Sequence, residues 1–230
     1  MLRPFRHNEL GHANHGWLDS RFHFSFADYY DPKRMGFGRL RVINDDRIAA
    51  GQGFGMHPHQ DMEIITYVRE GVLAHRDSLG NHGETRAGDV QVMSAGTGIV
   101  HSEFSLPGGE TTLFQIWIIP DEKGVQPRWE QAKFPKDFAN DQLPLLVSGK
   151  KEANGALFIH SDAAIYGGKL RAGASLKQPV RRQAYVVMSR GTVTVNGVKL
   201  SEGDGAEVTD EKELVLQAQD DAELLVIDVG

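Results

Sequence analysis

The chain has 230 residues, of which 40% are hydrophobic and 24% are charged, and its formal net charge is −6 at pH 7. This size and composition are those of one large or two ordinary globular domains, each able to bury a core. An acidic chain without a long run of Lys and Arg argues against a surface dedicated to nucleic acid. The sequence contains no cysteine, which excludes disulfides, thiolate zinc sites, iron–sulfur clusters and a cysteine nucleophile.

Signals for export or membrane insertion are not found in the sequence. Residues 1–6 carry positive charge, but no apolar segment follows them, so we expect no secretory signal. No apolar run reaches the length that a membrane-spanning helix needs. We therefore expect a cytoplasmic protein that makes no membrane contact.

Glycines separate short apolar stretches in the first half of the chain, a pattern that favours short strands joined by turns. Phe22, Phe24 and Phe26 alternate with polar residues and predict a strand at residues 22–26. Further strands are predicted at residues 40–43, 63–68, 72–76, 90–93 and 113–119. Residues 44–47 and 77–81 are predicted to be turns because they are rich in Asn and Asp.

Residues 121–144 are polar and contain three prolines, which is typical of a linker between domains. The second half then predicts strands at residues 157–160, 163–170, 184–188, 192–196, 198–200, 206–209, 213–217 and 222–228. In both halves a turn glycine, a strand and a hairpin precede a Gly-Asp pair and another strand. We therefore predict an all-β protein with two antiparallel β-barrels in tandem, at residues 1–135 and 136–230.

A glycine-rich segment, Gly51-Gln52-Gly53-Phe54-Gly55, could indicate a dinucleotide-binding loop. Such a loop must follow a strand and open a helix. Here the segment leads into His57-Pro58-His59, and a proline at this place is incompatible with the interior of a helix. We therefore do not interpret these glycines as a nucleotide site.

Four potential metal ligands occur in two short units, His57 with His59 and His101 with Glu103. Residues two apart on a strand point to the same face, so both units can converge on one point inside a barrel. Imidazole and carboxylate ligands suit Fe(II), Mn, Co, Ni, Cu or Zn and can leave positions open for water, substrate or O2. One histidine on a strand is usually a core or surface group, but two same-face pairs rarely arise by chance. The sequence therefore predicts a metal site in the first barrel, whereas the second, with His160 alone after the linker, is predicted to lack one.

Residues 51–103 resemble the two motifs of the cupin superfamily. In the first motif, Gly-x5-His-x-His-x3–4-Glu-x6-Gly, the residues Gly51, His57, His59 and Glu63 fit, and Gly71 comes one residue late. The second motif, Gly-x5-Pro-x-Gly-x2-His, fits in part. Its glycines are Gly88 and Gly96, while Ser94 replaces the proline and His101 comes two residues late.

With these departures the sequence resembles the pirin family of bicupins, and the resemblance covers nearly the whole chain. The segments that carry it are residues 11–18, 24–26, 40–46, 53–59, 93–103, 115–117 and 127–131. The resemblance implies two cupin-type barrels and one divalent metal, usually taken as iron, in the N-terminal barrel. It also implies that the metal ligands are His57, His59, His101 and Glu103.

The two patterns nominate different carboxylates as the fourth ligand. The general cupin pattern points to Glu63, whereas the pirin pattern points to Glu103. Glu63 lies four residues beyond His59, about 13 Å along an extended strand, so it reaches the metal only if the chain bends back. Glu103 needs no such bend once His101 is placed, and we favour it. Glu63 is then expected to support the site from outside the ligand set or to pack against the barrel.

The remaining histidines are given structural roles. His75 and His82 flank a predicted hairpin and are expected to be solvated. His12, His15 and His23 are expected to form hydrogen bonds that orient the N-terminal stretch, because buried polar groups need partners.

Similarity to bacterial pirins implies quercetin 2,3-dioxygenase-type activity, in which a flavonol and O2 give a ring-opened depside and CO. The metal would act as a Lewis acid on the flavonol 3-oxygen, and Glu103 would accept the 3-hydroxyl proton. The expected partners are thus a small flavonol-like aromatic substrate and O2, and we expect a monomer. An alternative implied by the family is a metal-dependent regulatory protein that binds a transcription factor or a metabolic enzyme. A third is isomerisation or hydrolysis with Zn or Mn.

Overall fold

The structure is a computed structural model that describes residues 1–151, 153 and 155–230. The first eleven strands are β1 (Leu2–Phe5), β2 (Gly11–Asn14), β3 (Leu18–Phe22), β4 (Leu40–Ile48), β5 (Gly53–His59), β6 (Glu63–Glu70), β7 (Val72–Asp77), β8 (His82–Arg86), β9 (Val90–Ser94), β10 (Ile99–Ser105) and β11 (Thr111–Ile118). The others are β12 (Arg128–Ala132), β13 (Leu145–Ser148), β14 (Leu157–Phe158), β15 (Ala163–Leu170), β16 (Ser175–Pro179), β17 (Gln183–Arg190), β18 (Thr192–Val195), β19 (Val198–Ser201), β20 (Gly205–Thr209), β21 (Glu213–Ala218) and β22 (Ala222–Val229).

Helix is almost lacking in the part of the chain that the structure describes. A single 3-10 turn at His7–Glu9 is the only helical segment there, which confirms the predicted all-β class. No helical segment among these residues has the length and apolar character needed to cross a membrane.

The chain forms two compact units. The N-terminal unit comprises residues 11–134 and 157–161, and the C-terminal unit comprises residues 1–10, 135–156 and 162–230. The first ten residues, which the sequence analysis placed in the first domain, belong to the C-terminal unit because β1 pairs antiparallel with β20.

Two antiparallel sheets make up the N-terminal unit. The larger has the order β12-β9-β6-β11-β4-β3-β2, and the smaller has the order β5-β10-β7-β8. Leu18, Ile48, Val68 and Leu113 of the larger sheet pack with Leu73 of the smaller sheet. The unit therefore has the two-sheet antiparallel architecture expected of a cupin-type barrel, and the observed strand pairings leave the edges of the two sheets unjoined.

The C-terminal unit repeats this plan around an apolar core. One sheet includes the order β1-β20-β17-β22-β15-β13, and the other has the order β16-β21-β18-β19. Val186, Leu224 and Val226 of the first sheet belong to the same buried cluster as Leu214 and Leu216 of the second.

Three predictions of local structure are wrong. Strand β3 ends at Phe22, and the chain then turns, with the Ser25 N–H donating to the Arg34 carbonyl at 2.6 Å. The supposed turn at residues 44–47 lies inside β4, which is paired on both sides, by β3 and β11. The supposed linker contains β12, which pairs with β9 and places Trp129 opposite Met93.

Candidate metal centre

A row of polar side chains crosses the larger sheet of the N-terminal unit. Asn44 lies opposite Gln115, Gln115 opposite Thr66, Thr66 opposite Gln91 and Gln91 opposite Gln131, on five successive strands. Cross-strand partners share one face of a sheet, so the five side chains form a continuous band. We call these five residues the polar row.

Glu103 of the smaller sheet is held by three members of the polar row. Its carboxylate accepts hydrogen bonds from Gln91 Nε2 at 2.6 Å, from Gln115 Nε2 at 2.9 Å and from Thr66 Oγ1 at 3.4 Å. Burial raises the pKa of Glu103 to about 7, and the three hydrogen bonds oppose that rise. The carboxyl group is thus buried but well supplied with donors.

Strands β5 and β10 carry the two predicted ligand pairs side by side, and three of the four predicted ligands, His57, His59 and His101, fall in one group, whereas Glu103 groups with His101 and His75. His57 lies opposite His101, and the pairing shifts between His101 and Glu103. Gly53 makes this close approach feasible, because a β-carbon there would lie 2.1 Å from the Glu103 carbonyl oxygen.

Three imidazoles meet at this point. The ring centroids of His57, His59 and His101 are 4.4–5.0 Å apart, and one potential ligand atom from each lies within 4.8 Å of the others. The His57 Nδ1–H donates to the Gly55 carbonyl at 2.7 Å, which directs Nε2 to the other side of the ring. His101 Nε2 is buried and has no hydrogen-bond partner among the described residues.

The imidazoles are electrically suited to bind a cation. Burial and the neighbouring His57 lower the pKa of His59 to about 4. Burial and the neighbouring histidines lower the pKa of His101 to about 2. Both rings are therefore neutral at pH 7, which is the form that ligates metals. This donor set fits a divalent transition metal.

His75 forms part of a second group that the sequence analysis missed. One potential ligand atom from each of His75, His101 and Glu103 also lies within 4.8 Å of the others. The prediction that His75 is solvated is wrong, because its side chain is fully buried and stacks on Trp129 at 4.7 Å. His82 is exposed, as predicted. The difference follows from sheet position, since β7 lies between β10 and β8 and directs alternate side chains inward.

Glu63 takes no part in either histidine group. It is buried on β6 and accepts a hydrogen bond from Ser94 Oγ at 2.8 Å. Burial raises its pKa, and the hydrogen bond from Ser94 opposes the rise.

A cavity of about 580 Å³ lies beside the histidines. His57, His59, Glu103 and Gln115 line one part of it. Aromatic side chains form much of the remaining wall, namely Trp17, Phe22, Phe26, Tyr29, Phe54 and Trp117. His12 and His15 also line the cavity, and His12 Nε2 is hydrogen-bonded to Asp19 Oδ1 at 2.9 Å.

Two further buried polar residues of β4, Asn44 and Asp46, line the same cavity. Asn44 Oδ1 is buried without a hydrogen-bond partner in the described structure. Burial raises the pKa of Asp46 to about 7, against the hydrogen bond that it accepts from Ser20, and the charges of Asp45 and Glu103 add to the rise. Both positions fell in the supposed turn at residues 44–47, so sequence reasoning gave them no role.

Comparison with protein families gives two matches along the chain. Residues 5–118 match the family model described as Pirin, and residues 145–229 match the model described as Quercetinase C-terminal cupin domain. A Pseudomonas aeruginosa protein whose quercetin 2,3-dioxygenase name is provisional is 56% identical over 99% of this chain and 98% of its own length. The quercetin 2,3-dioxygenase of Escherichia coli is 49% identical over 100% of this chain and 99% of its own length.

Solved structures show the same similarity. The crystal structure of YhhW from Escherichia coli matches with a TM-score of 0.94 and 46% identity, covering 100% of this chain and 98% of that one. The structure of the bacterial pirin YhhW in complex with nickel(II) matches with a TM-score of 0.92 and 47% identity, covering 100% and 99%.

Proposed function

Because this chain belongs to the pirin family, we propose that it is a metal-dependent dioxygenase that cleaves flavonols such as quercetin with O2 and releases CO. The observation that carries the proposal is the cluster of His57, His59 and His101 beside an aromatic-lined cavity of about 580 Å³. Relatives that cover the whole chain bear the name quercetin 2,3-dioxygenase, which supports this substrate class.

In this proposal His57, His59, His101 and Glu103 hold one divalent metal. Fe(II) is our first choice, with Mn, Co, Ni, Cu or Zn as alternatives, because neutral imidazoles and one carboxylate suit all of them. The nickel(II) complex of the Escherichia coli relative supports a transition metal in this family. When bound, the metal would supply Lewis acidity toward a substrate oxygen.

Glu103 is the proposed base. Its carboxylate lines the cavity and accepts hydrogen bonds from Gln91 and Gln115, which hold it in one orientation. A fixed carboxylate can accept the proton of the flavonol 3-hydroxyl group, which leaves the substrate as an electron-rich enolate for reaction with O2.

The shape and polarity of the cavity fit a flat polyphenol. Aromatic side chains such as Phe54 and Trp117 can pack against fused rings and exclude water. Asn44 and Asp46 add polar groups to this wall, where they can pair with a phenolic hydroxyl group.

The test is an aerobic and an anaerobic quercetin assay on the Fe(II)-loaded protein, following loss of flavonol absorbance together with CO release. We expect O2-dependent loss with one CO per flavonol, and an activity reduced by about 100-fold or more in Glu103→Ala and His57→Ala. His82→Ala, which changes an exposed histidine, is the matched control and should retain full activity.

The possible results separate the parts of the proposal. Absence of O2-dependent flavonol loss in fully metallated protein would contradict the dioxygenase function and leave two alternatives, a regulatory role and an isomerisation or hydrolysis. Full activity in Glu103→Ala would contradict the roles of Glu103 as the base and as a required metal ligand, while the dioxygenase function would stand. Metal analysis of the purified protein decides between iron and the other metals.

A further inference from the structure

Asp77 ends β7 as a buried carboxylate that accepts four hydrogen bonds. Its Oδ1 accepts from the backbone N–H groups of Leu79 and Asn81 at 2.9 and 3.0 Å. Its Oδ2 accepts from Asn81 Nδ2 at 3.0 Å and from His75 Nε2 at 3.1 Å. The turn at residues 77–81 therefore fixes this carboxylate in place, and the carboxylate in turn fixes one nitrogen of His75.

The hydrogen bond to Asp77 determines how His75 meets His101. A neutral imidazole that donates through Nε2 has only an acceptor at Nδ1. His75 Nδ1 lies 3.4 Å from His101 Nδ1. One of two facing nitrogens must carry the proton, so the His101 Nδ1–H donates to His75, and the lone pair of His101 is left on Nε2.

His101 Nε2 is the nitrogen that is buried without a partner in the described part of the chain. The same ring belongs to the cluster with His57 and His59. The hydrogen-bond chain from Asp77 thus places the free lone pair of His101 on Nε2, away from His75, in the tautomer that ligates a metal through Nε2.

His75 is also held rigidly by packing. Its ring stacks on the Trp129 indole with a centroid distance of 4.7 Å and an interplanar angle of 9°. Neither His75 nor Asp77 exposes any of its side chain. A buried, stacked ring has one orientation available, so it can impose an orientation on the ring to which it is bonded.

The second group of potential ligands, His75 with His101 and Glu103, raises the alternative that His75 binds metal itself. Both of its ring nitrogens are already engaged, one by Asp77 and one by His101. No lone pair of His75 remains for a cation, which favours a positioning role over ligation.

We propose that Asp77 and His75 form a hydrogen-bonded relay that fixes the tautomer and orientation of His101, and that His75 is a positioning residue for the metal centre. This inference rests on the metal site of the proposed function. It assigns a role to two residues outside the four proposed ligands, and it explains why a histidine–aspartate pair is buried in this sheet.

The first test compares zinc affinity, measured by competition with a chromophoric chelator. His75→Phe keeps a stacking ring and removes both nitrogens. Asp77→Asn keeps one oxygen for the N–H groups of Leu79 and Asn81 and places an amide NH2 donor where the carboxylate oxygen accepts from His75. We expect each variant to bind zinc about 10- to 100-fold more weakly than the wild-type protein. His82→Phe, the same substitution at an exposed position of the adjacent strand β8, should bind within about twofold of the wild type. Wild-type affinity in folded His75→Phe and Asp77→Asn would overturn the relay.

The second test needs no variant and therefore holds even if a substitution prevents folding. Long-range ¹H–¹⁵N NMR of histidine-labelled, zinc-loaded protein reports which nitrogen of each ring carries a proton. We expect His101 protonated at Nδ1 and ligated at Nε2, and His75 protonated at Nε2. A His101 ring ligated through Nδ1, or a zinc-ligated His75, would overturn the proposal.

These readouts separate the relay from the dioxygenase function. The expected tautomers and weakened zinc binding in a protein that leaves quercetin unchanged would support the relay and contradict the proposed activity. Quercetin cleavage by a protein in which His75 binds the metal would support the proposed activity and contradict the relay.

Discussion

Gly53 lies so close to Glu103 that a β-carbon on the glycine would come within 2.1 Å of the Glu103 carbonyl oxygen. This contact lies where β5, which carries His57 and His59, pairs with β10, which carries His101. The two strands therefore approach each other so closely at position 53 that any residue other than glycine there would require a shift of the backbone.

We expect Gly53→Ala to push β5 away from β10, lowering the free energy of unfolding by about 1–3 kcal/mol and weakening zinc binding by about tenfold. Gly55→Ala, on the same strand, is the matched control because a β-carbon there meets no atom within 4 Å. Urea unfolding and chelator competition measure the two effects. Equal behaviour of the two alanine variants would show that the close contact does not set the strand spacing.

Asp46 makes stability depend on pH. Its pKa in the folded protein is about 7, above the value of 3.8 for an unperturbed Asp. Its stabilising contribution is therefore complete below the unfolded pKa and is lost as pH rises through about 7. As pH rises from 4 to 8, the free energy of unfolding of the metal-free wild type should therefore fall relative to that of metal-free Asp46→Asn, by up to about 4 kcal/mol.

Urea titrations of metal-free wild-type and Asp46→Asn protein at pH 4, 6 and 8 measure this difference. The substitution replaces a carboxyl that burial keeps protonated below about pH 7 by an amide of the same shape, so Ser20 keeps a partner. A difference in unfolding free energy that stays constant with pH would contradict the raised pKa.

Gln91 donates the shortest of the three hydrogen bonds to Glu103, at 2.6 Å. We expect Gln91→Leu to lower the free energy of unfolding by about 1.5–3 kcal/mol at pH 8, where the lost hydrogen bond is to a charged group. In metal-free protein the loss should be smaller at pH 5, because Glu103, with a pKa of about 7, is then neutral. Gln131→Leu is the control, because Gln131 is the next member of the polar row but accepts a hydrogen bond from Thr85. The change in unfolding free energy that this substitution causes should not vary with pH in this way.

Asn44 offers a test of the proposed substrate class. If Asn44 pairs with a phenolic hydroxyl group, Asn44→Leu should weaken anaerobic quercetin binding by about three- to tenfold. Binding of 3-hydroxyflavone, which lacks the other hydroxyl groups, should change less than about twofold. Quenching of Trp17 and Trp117 fluorescence reports both, because these residues line the cavity. An equal loss for the two ligands would indicate a general disturbance of the cavity.

The histidine cluster was predictable from sequence because its spacing is local. His57 and His59 lie two residues apart on β5 and so share one face of that strand. The same spacing relates His101 to Glu103 on β10 and His75 to Asp77 on β7. What the period cannot tell is whether a strand lies inside a sheet. His75 is buried because β7 lies between two other strands, and that is a property of the pairing.

The polar row is a second feature that depends on which strands pair and that local sequence patterns therefore do not reveal. The donors to Glu103 come from β6, β9 and β11, and their register is fixed by pairing between strands distant in the chain. Asn44 and Asp46 stand in a run whose composition is that of a turn, yet pairing on both sides of β4 makes it a strand. Tertiary pairing has overridden local preference there, and this part of the cavity wall could not be derived from composition.

Strand β1 pairs with β20, with Leu2 opposite Val208. During synthesis β1 leaves the ribosome long before its partner exists, and this pairing closes a very long loop, which slows folding. Until then β20 has no partner on one side, and an unpaired strand edge can join another chain. A fragment that begins at residue 136 would keep that edge permanently open, so it should associate with itself even though most of its core residues are present.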